Sequence, residues 1–251
     1  MLFRSSEKDR GSDETQHQVS VSAFRMGQYE VTQAQWQAVM GSNPSIFKGD
    51  SLPVEQVSWY QAIVFCNKLS IKEGLAPCYS INGSADPGRW GTIPTSNDAV
   101  WNKAVCNFSA NGYRLPMEAE WEYACRGGTS TATAYGNSLS STQVNFNGNY
   151  PYGGAAEGLY LKKTTPVGSY TPNAWGLYDM HGNVWEWCMD WYGAYTSDNQ
   201  SDPIGATTGA LRVDRGGSWG NGGQYLRSAN RDGYYPHSRY SDLGFRLACR
   251  P

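Results

Sequence analysis

Charge is scarce in this sequence. Asp, Glu, Lys and Arg make up 17% of its 251 residues, and 20 basic side chains stand against 22 acidic ones for a net charge of −2. With no basic stripe, a protein whose main partner is a nucleic-acid backbone is excluded. No apolar run approaches the ~20 residues of a membrane-spanning helix. The N-terminus also lacks the basic-then-apolar layout of a signal peptide, so any export signal is expected outside this chain. Cys66, Cys78, Cys106, Cys125, Cys188 and Cys249 form no CxxC pair and no Cys/His ligand spacing, which argues against zinc. They fit disulfides in an exported protein or buried thiols in a cytosolic one. His17, His181 and His237 show neither an HxxxH nor a two-His-one-carboxylate spacing, and each reads as a surface or hydrogen-bonded residue. Solenoid and propeller periods are missing too.

What the chain has is rings and turns. Ten Trp, 17 Tyr and 29 Gly imply that compactness comes from large aromatic side chains more than from Leu/Ile/Val layers. The length suits a single domain, residues 19–251, behind a flexible polar lead-in, residues 1–18. Alternation predicts a strand from Val19 towards Val31. Thr32 with Gln35, and Ser58 with Gln61, have capping-box spacing. They predict a short helix through Met40 and a second one whose Trp59, Ala62, Ile63, Cys66 and Leu69 share a core-facing side, with a brief strand over 53–57 between them. Pro116 followed by Glu118, Glu120 and Glu122 predicts a helix that begins at the proline and is stopped by Gly127 and Gly128. Residues 129–165 are aperiodic; a loop that long needs something to hold it, and a bound cation is one option.

Residues 211–251 alternate two kinds of text. Segments 211–213, 226–229 and 243–248 read as strands, with the turn Arg215, Gly216, Gly217, Ser218 and Trp219 among them. Between them lie clusters such as Gly220-Asn221-Gly222, Asp232-Gly233-Tyr234-Tyr235, His237-Ser238 and Tyr240-Ser241-Asp242, which read as loops. Their Tyr, Ser, Gly, Asn and Asp supply rigid amphipathic rings and short adaptable hydrogen-bonding groups, as antibody paratopes do, and point to a recognition surface. Loops that only connect strands carry similar residues. Upstream, Asn183 and Glu186 offer oxygens that suit a hard cation such as calcium, and a hydrogen bond from Glu186 to a nearby turn explains the same spacing equally well.

Taken in order, the blocks MGQYEVT (26–32), PVEQVSW (53–59), YRLP (113–116), EAEWEYA (118–124), GLYDM (176–180), GNVWEW (182–187), RGGSW (215–219) and GFR (244–246) resemble the formylglycine-generating-enzyme (sulfatase-modifying factor) superfamily. The resemblance covers nearly the whole chain from Val19. It implies an α+β, C-type-lectin-like fold: a twisted antiparallel sheet, a few helices and much irregular backbone. Enzymes of the family use a cysteine pair after the Gly-Gly-Ser-aromatic turn to bind copper and activate oxygen, chemistry that needs soft thiolate ligands. Here no cysteine lies between Cys188 and Cys249, so the protein is expected not to be an enzyme. The alternative is a formylglycine-generating or related iron- or copper-dependent oxidase, which rests on the resemblance alone.

A scaffold of this kind with paratope-like loops also resembles the variable proteins of diversity-generating retroelements, in which reverse transcription randomises adenines, chiefly in AAC codons. That implies a ligand-binding protein whose region 211–251 varies. Gly220, Asn221, Gly222, Tyr225, Asp232, Gly233, Tyr234, Tyr235, His237, Ser238, Tyr240, Ser241 and Asp242 all belong to the reachable residue types, and Trp219, Gln224, Leu226, Arg239 and Phe245 are the expected fixed scaffold. Tyr225, Tyr234, Tyr235 and Tyr240 are the expected anchors, with Asp232, Ser238, Ser241 and Asp242 adapting at the rim. The resemblance requires no catalytic cofactor. It does imply structural calcium at the Gly182-Asn183-Val184-Trp185-Glu186 turn, through Asn183 and Glu186, a looser second site at Asn145 and Phe146, and a disulfide between Cys125 and Cys249. The expected partner is an unknown protein or surface ligand, with no nucleic acid. The binder is expected to be a monomer exported to the cell surface or outer membrane and lipid-anchored at full length, without a membrane span.

Overall fold

Two reciprocal caps start the first two helices where the sequence places them. In α1 (Gln33–Met40), Gln35 N–H donates to Thr32 Oγ1 at 3.3 Å while Thr32 N–H donates to Gln35 Oε1 at 2.9 Å. Ser58 and Gln61 repeat the exchange at the start of α2 (Trp59–Lys72) at 3.2 and 2.9 Å. Each box satisfies two of the amide donors that a helix leaves orphaned. The face of α2 carrying Trp59, Ala62, Ile63 and Cys66 is buried, with Leu69 half-buried beside it. α3 (Glu118–Arg126) begins two residues later than the proline suggests. Pro116 stays outside the helix and its carbonyl accepts from Met189 N–H, while the Glu120 carboxylate accepts from Met117 N–H at 2.9 Å. Gly127, at φ 54°, ends it.

The computed structural model describes Leu2, Phe3 and residues 10–251. Strands β1 (Leu2–Phe3), β2 (His17–Ser20), β3 (Arg25–Met26), β4 (Tyr79–Ser80), β5 (Val105–Cys106) and β6 (Tyr113–Arg114) precede or alternate with the helices, and β7 (Trp185–Trp191), β8 (Gln200–Ser201), β9 (Arg212–Arg215), β10 (Arg231–Tyr234), β11 (Leu243–Gly244) and β12 (Ala248–Cys249) follow them. They form sheets ordered β1-β2-β8, β10-β9-β7-β11, β3-β12-β6 and β4-β5. The sheet centred on β9 and β7 organises the core. On β9, Arg212 and Asp214 face the α2 side, where Arg212 lies over the Trp59 ring. Val213 and Arg215 face α3, where Val213 packs with Trp121 and Cys125, and Arg215 pairs with Glu118 and Glu122. Period-two alternation thus splits the interior into a large aromatic core against α1 and α2 and a smaller one under α3.

Several expected elements differ. Residues 10–18, the described part of the expected flexible lead-in, are packed: Glu14 is buried, its carboxylate accepting from both terminal nitrogens of Arg227 at 2.7 Å, and β2 already begins at His17. Between Val19 and Val31 only the ends of β2 and β3 are regular, and over 53–57 a single bridge, Thr32 to Pro53, replaces a strand. Segment 226–229 is not a strand: Leu226 closes a one-turn helix, Gly223–Leu226, and irregular backbone follows. Asp232, Gly233 and Tyr234, read as loop, lie in β10, because β9 supplies a complete antiparallel ladder from Arg231↔Arg215 to Tyr234↔Arg212. The closing strand is divided into β11 and β12, which join different sheets. Among the described residues no helix is long and apolar enough to cross a membrane.

Candidate functional site

The strands β9, β10 and β11 and their connections bring most of the expected site residues to one end of the central sheet. Trp219 is the hub. Its Nε1 donates to Ser241 O at 3.1 Å, Phe47 meets its ring edge-on at 5.6 Å, and Tyr160 stacks on it at 6.4 Å. The Ser218 hydroxyl lies 2.6 Å from Asn221 Oδ1 and 2.9 Å from Asp242 Oδ2, tying the two loops together. Tyr234 and Tyr240 form a tilted pair at 4.8 Å, and Tyr235 stacks on His237 at 5.6 Å. Gln56 N–H donates to Tyr240 O, fixing that loop to the start of α2. Ser238 N–H donates to Tyr235 O in the turn between them. Burial holds the Asp232 and Asp242 carboxyls above the usual carboxylate range.

None of the thirteen candidate residues is buried. Tyr225, Tyr235 and Tyr240 are 43%, 52% and 44% exposed. Interleaved with them, Leu226, Ser228, Arg231, Pro236, Leu243 and Phe245 are buried. Of the expected scaffold residues, Leu226 and Phe245 are core, Trp219 and Arg239 are half-buried, and Gln224 is exposed. Gly233 is more constrained than its residue type implies, since a Cβ there would lie 3.1–3.2 Å from atoms of Tyr192 and Leu211.

Two of the candidates line a separate cleft. Gly222 and Tyr225 line a cleft of about 930 Å³ with Asn149, Tyr150, Asp13 and Glu14. Gly223 N–H donates to Tyr150 O at 2.7 Å and Asn147 N–H to Asn221 O at 2.9 Å, so protein hydrogen bonds help hold this part of the long 129–165 loop. Sequence reasoning missed Phe47, Tyr150 and Tyr160. The run Asn149-Tyr150-Pro151-Tyr152 carries the same composition as the C-terminal loops and was the available signal.

Asn183 and Glu186 do not fit a calcium ion. Both Glu186 oxygens accept from Arg246, Oε2 from Nε at 2.6 Å and Oε1 from Nη2 at 2.7 Å, and Oε2 also accepts from Trp121 Nε1 at 2.7 Å. A cation there would meet a buried guanidinium. Asn183 Oδ1 accepts from Asn145 Nδ2 and Thr165 N–H, and its Nδ2 donates to Glu30 at 2.6 Å. Asn145, expected in the looser site, spends its amide on Asn183 Oδ1 and Lys163 O. Among the described residues no group of three or more His, Cys, Asp or Glu is arranged to hold a metal.

The expected Cys125–Cys249 disulfide is also corrected, because both thiols are free. Cys125 Sγ sits at the end of α3, 3.5 Å from His181 Nε2 and 3.6 Å from Ser228 Oγ, while Cys249 lies on β12 between Arg25 and Tyr113. Burial pushes the Cys125 thiol up to about 12 and the His181 imidazole down to about 4. His181 is therefore neutral, its Nδ1–H donating to Leu226 O at 2.6 Å and its Nε2 accepting from Ala134 N–H. Neither group is poised as a nucleophile or base.

The sulfatase-modifying factor enzyme 1-like domain matches residues 2–251. The chain is 41% identical over 212 residues to the chaperone protein LppX of Paenibacillus barcinonensis, covering 80% of this chain and 71% of that one. To the formylglycine-generating enzyme of Mus musculus it is 34% identical over 254 residues, 92% of this chain and 67% of that one. Among solved structures, Treponema denticola variable protein 1 superposes with a TM-score of 0.85 at 41% identity, covering 100% of this chain and 91% of that one. The α+β, C-type-lectin-like fold and the likeness to a variable protein expected from the sequence both hold.

Proposed function

Because this chain belongs to the sulfatase-modifying factor enzyme 1-like family, we propose that it uses the family's scaffold for recognition: a ligand-binding protein that displays diversified side chains from region 211–251, varied by a diversity-generating retroelement. One observation carries the reading. All thirteen candidate residues are at least partly exposed while buried residues alternate with them, so substitution at most of them can change the surface with little effect on the core. The likeness to Treponema denticola variable protein 1 over the full chain supports it. On this reading the protein is a non-enzymatic monomer, exported and lipid-anchored at the cell surface, and its partner is a protein or other surface ligand. An oxidase would need a thiolate pair after Trp219, and the segment has no cysteine between Cys188 and Cys249. Sequencing the DNA downstream of the gene tests the proposal. A near-copy of the codons for region 211–251, differing only where the template has adenine and lying beside a reverse-transcriptase gene, is the expected result. Its absence, together with aldehyde formation on a sulfatase peptide by the copper-loaded protein, would overturn it.

A further inference from the structure

Asp214 is the anomaly of the central sheet. It is 0% exposed, and neither carboxylate oxygen has a hydrogen-bond partner among the described residues. Leaving a buried acid in this state is costly unless something else meets it. The β9–β10 register sets it directly opposite Asp232, and the β7–β9 register opposite Trp187. Opposed residues of an antiparallel pair share a face, and like charges there are destabilising. Asp242 approaches from the loop before β11, held by Ser218. Burial, then Asp232 and Asp242, keep the Asp214 proton bound well above the usual carboxylate range, and Arg215 offsets them in part.

The two arginines of β9 are turned elsewhere. Arg215 points to the α3 side, to Glu118 and Glu122. Arg212, on the same face of β9 as Asp214, is sandwiched between Trp59 and Trp191 at 3.9 and 3.5 Å and donates to Met189 O and Asn102 O. What does surround the acids is aromatic. Tyr234 shares the strand face of Asp214 and Asp232, Tyr240 pairs with it at 4.8 Å, and the exposed Tyr235 follows.

We propose that this face recognises an organic cation, a guanidinium or alkylammonium side chain presented by a protein partner, with the buried Asp214 as the inner acid and Asp232 and Asp242 as the outer ones. A cation entering here displaces the Asp214 proton to water, and carboxylates behind aromatic rings then attract it through both charge and ring quadrupole, more strongly as water is excluded. A calcium ion is a poorer fit. It takes six to eight oxygens, whereas Asp242 Oδ2 is engaged by Ser218, Asp232 Oδ1 by Gly233 N–H, and the remaining walls are rings. Exposed tyrosines at the rim match the aromatic anchors of protein interfaces. The inference rests on the recognition reading and adds the chemistry that this particular set of loop residues selects.

The test is ligand-observed NMR with the folded full chain and N-acetyl-arginine amide, N-acetyl-lysine amide and the uncharged N-acetyl-norleucine amide as probes. Both cationic amides are expected to bind, with the norleucine amide weaker by about tenfold. Asp214→Asn is expected to weaken the cationic amides by a similar factor while its melting temperature holds or rises. Should Asp214→Asn not fold, the double variant Asp232→Asn/Asp242→Asn, at two partly exposed positions, reads the same loss. Equal binding of the norleucine amide, or binding unaffected by these changes, would overturn the proposal. So would calcium displacing the amides in an Asp214-dependent way. If the amides fail to bind but a library varied at the thirteen positions yields binders that need Tyr235, the recognition reading stands and this inference alone fails. Cation binding without a template repeat in the DNA would leave this inference and remove retroelement diversification.

Discussion

Replacing Arg246 by Met tests whether the Glu186 region is held by an ion pair instead of by calcium. Arg246 is fully buried and donates to both Glu186 oxygens, to Tyr178 O at 2.8 Å and to Gly27 O at 3.1 Å. Its charge also acts on Glu30 and Asp179, both held above the usual carboxylate range by burial. Removing the guanidinium leaves these acids together in a dry interior. Breaking a buried pair in this way costs about 3–5 kcal/mol. For a domain of this size each kcal/mol moves the melting point by about 2–4 °C, so a fall of about 6–20 °C is expected. Thermal unfolding followed by circular dichroism, in EGTA and in excess calcium, is the assay. Wild type should melt at one temperature in both, and calcium should not rescue Arg246→Met. The deficit should also shrink as pH falls towards about 6, because without Arg246 Asp179 takes up its proton at a higher pH than in wild type and one repelling charge disappears. A shift below about 2 °C, or a calcium-dependent rise in wild type that Glu186→Gln abolishes, would refute the assignment.

Burial, followed by the charge of Glu118, raises Asp190 to about 7. The folded state therefore holds this proton more tightly than the unfolded chain, and stability is lost as pH rises from about 4 to about 7; Asp190→Asn should flatten urea-unfolding stabilities measured at pH 5 and pH 8, and an unchanged slope would count against a raised pKa. Tyr235→Ala combined with Tyr240→Ala should leave the melting point within about 4 °C while abolishing ligand binding, and a larger fall would mark the rings as core. Gly182 has φ 86° and would place a Cβ 2.3 Å from Asn145 O, so Gly182→Ala should lose more than about 1 kcal/mol in chemical denaturation. Alkylation of denatured, unreduced protein should label both Cys125 and Cys249, and a mass showing them bridged would contradict the free-thiol arrangement.

The elements legible in the sequence are those whose signal is local. Thr32 with Gln35, Ser58 with Gln61 and the left-handed Gly127 each act within one helical turn, and each starts or stops a helix as expected. β10 was not legible, because Asp232, Gly233 and Tyr234 have no shared strand propensity and their ladder comes entirely from β9. Conversely, Leu226 to Ala229 reads as a strand, yet its backbone is spent elsewhere: Ser228 N–H donates to Ala132 O, and the Ser228 carbonyl accepts from Arg215. Glu14 looked like solvated lead-in because its partner, Arg227, lies at the other end of the chain. The same blindness applies at Glu186, since nothing near it in sequence reveals that its countercharge is Arg246.

These distant pairs also explain how exposed loops are held on a scaffold with short strands. Arg215 donates to Ser228 O and Asn230 O at 2.9 and 2.6 Å while pairing with α3. Arg227 is clamped by Glu14, Arg231 by Glu118, and Arg246 by Glu186. Each returning segment of region 211–251 is therefore fixed from beneath, by a buried arginine whose planar fork binds a carboxylate through two or more donors. The loop path is set by residues that point inward, and the residues that point outward carry little of the folding energy. Asp214 is the exception: it shares a strand face with the partly exposed Asp232 and Tyr234 yet is itself buried. On the proposed recognition reading, it is where the buried floor should bias which ligands that surface takes.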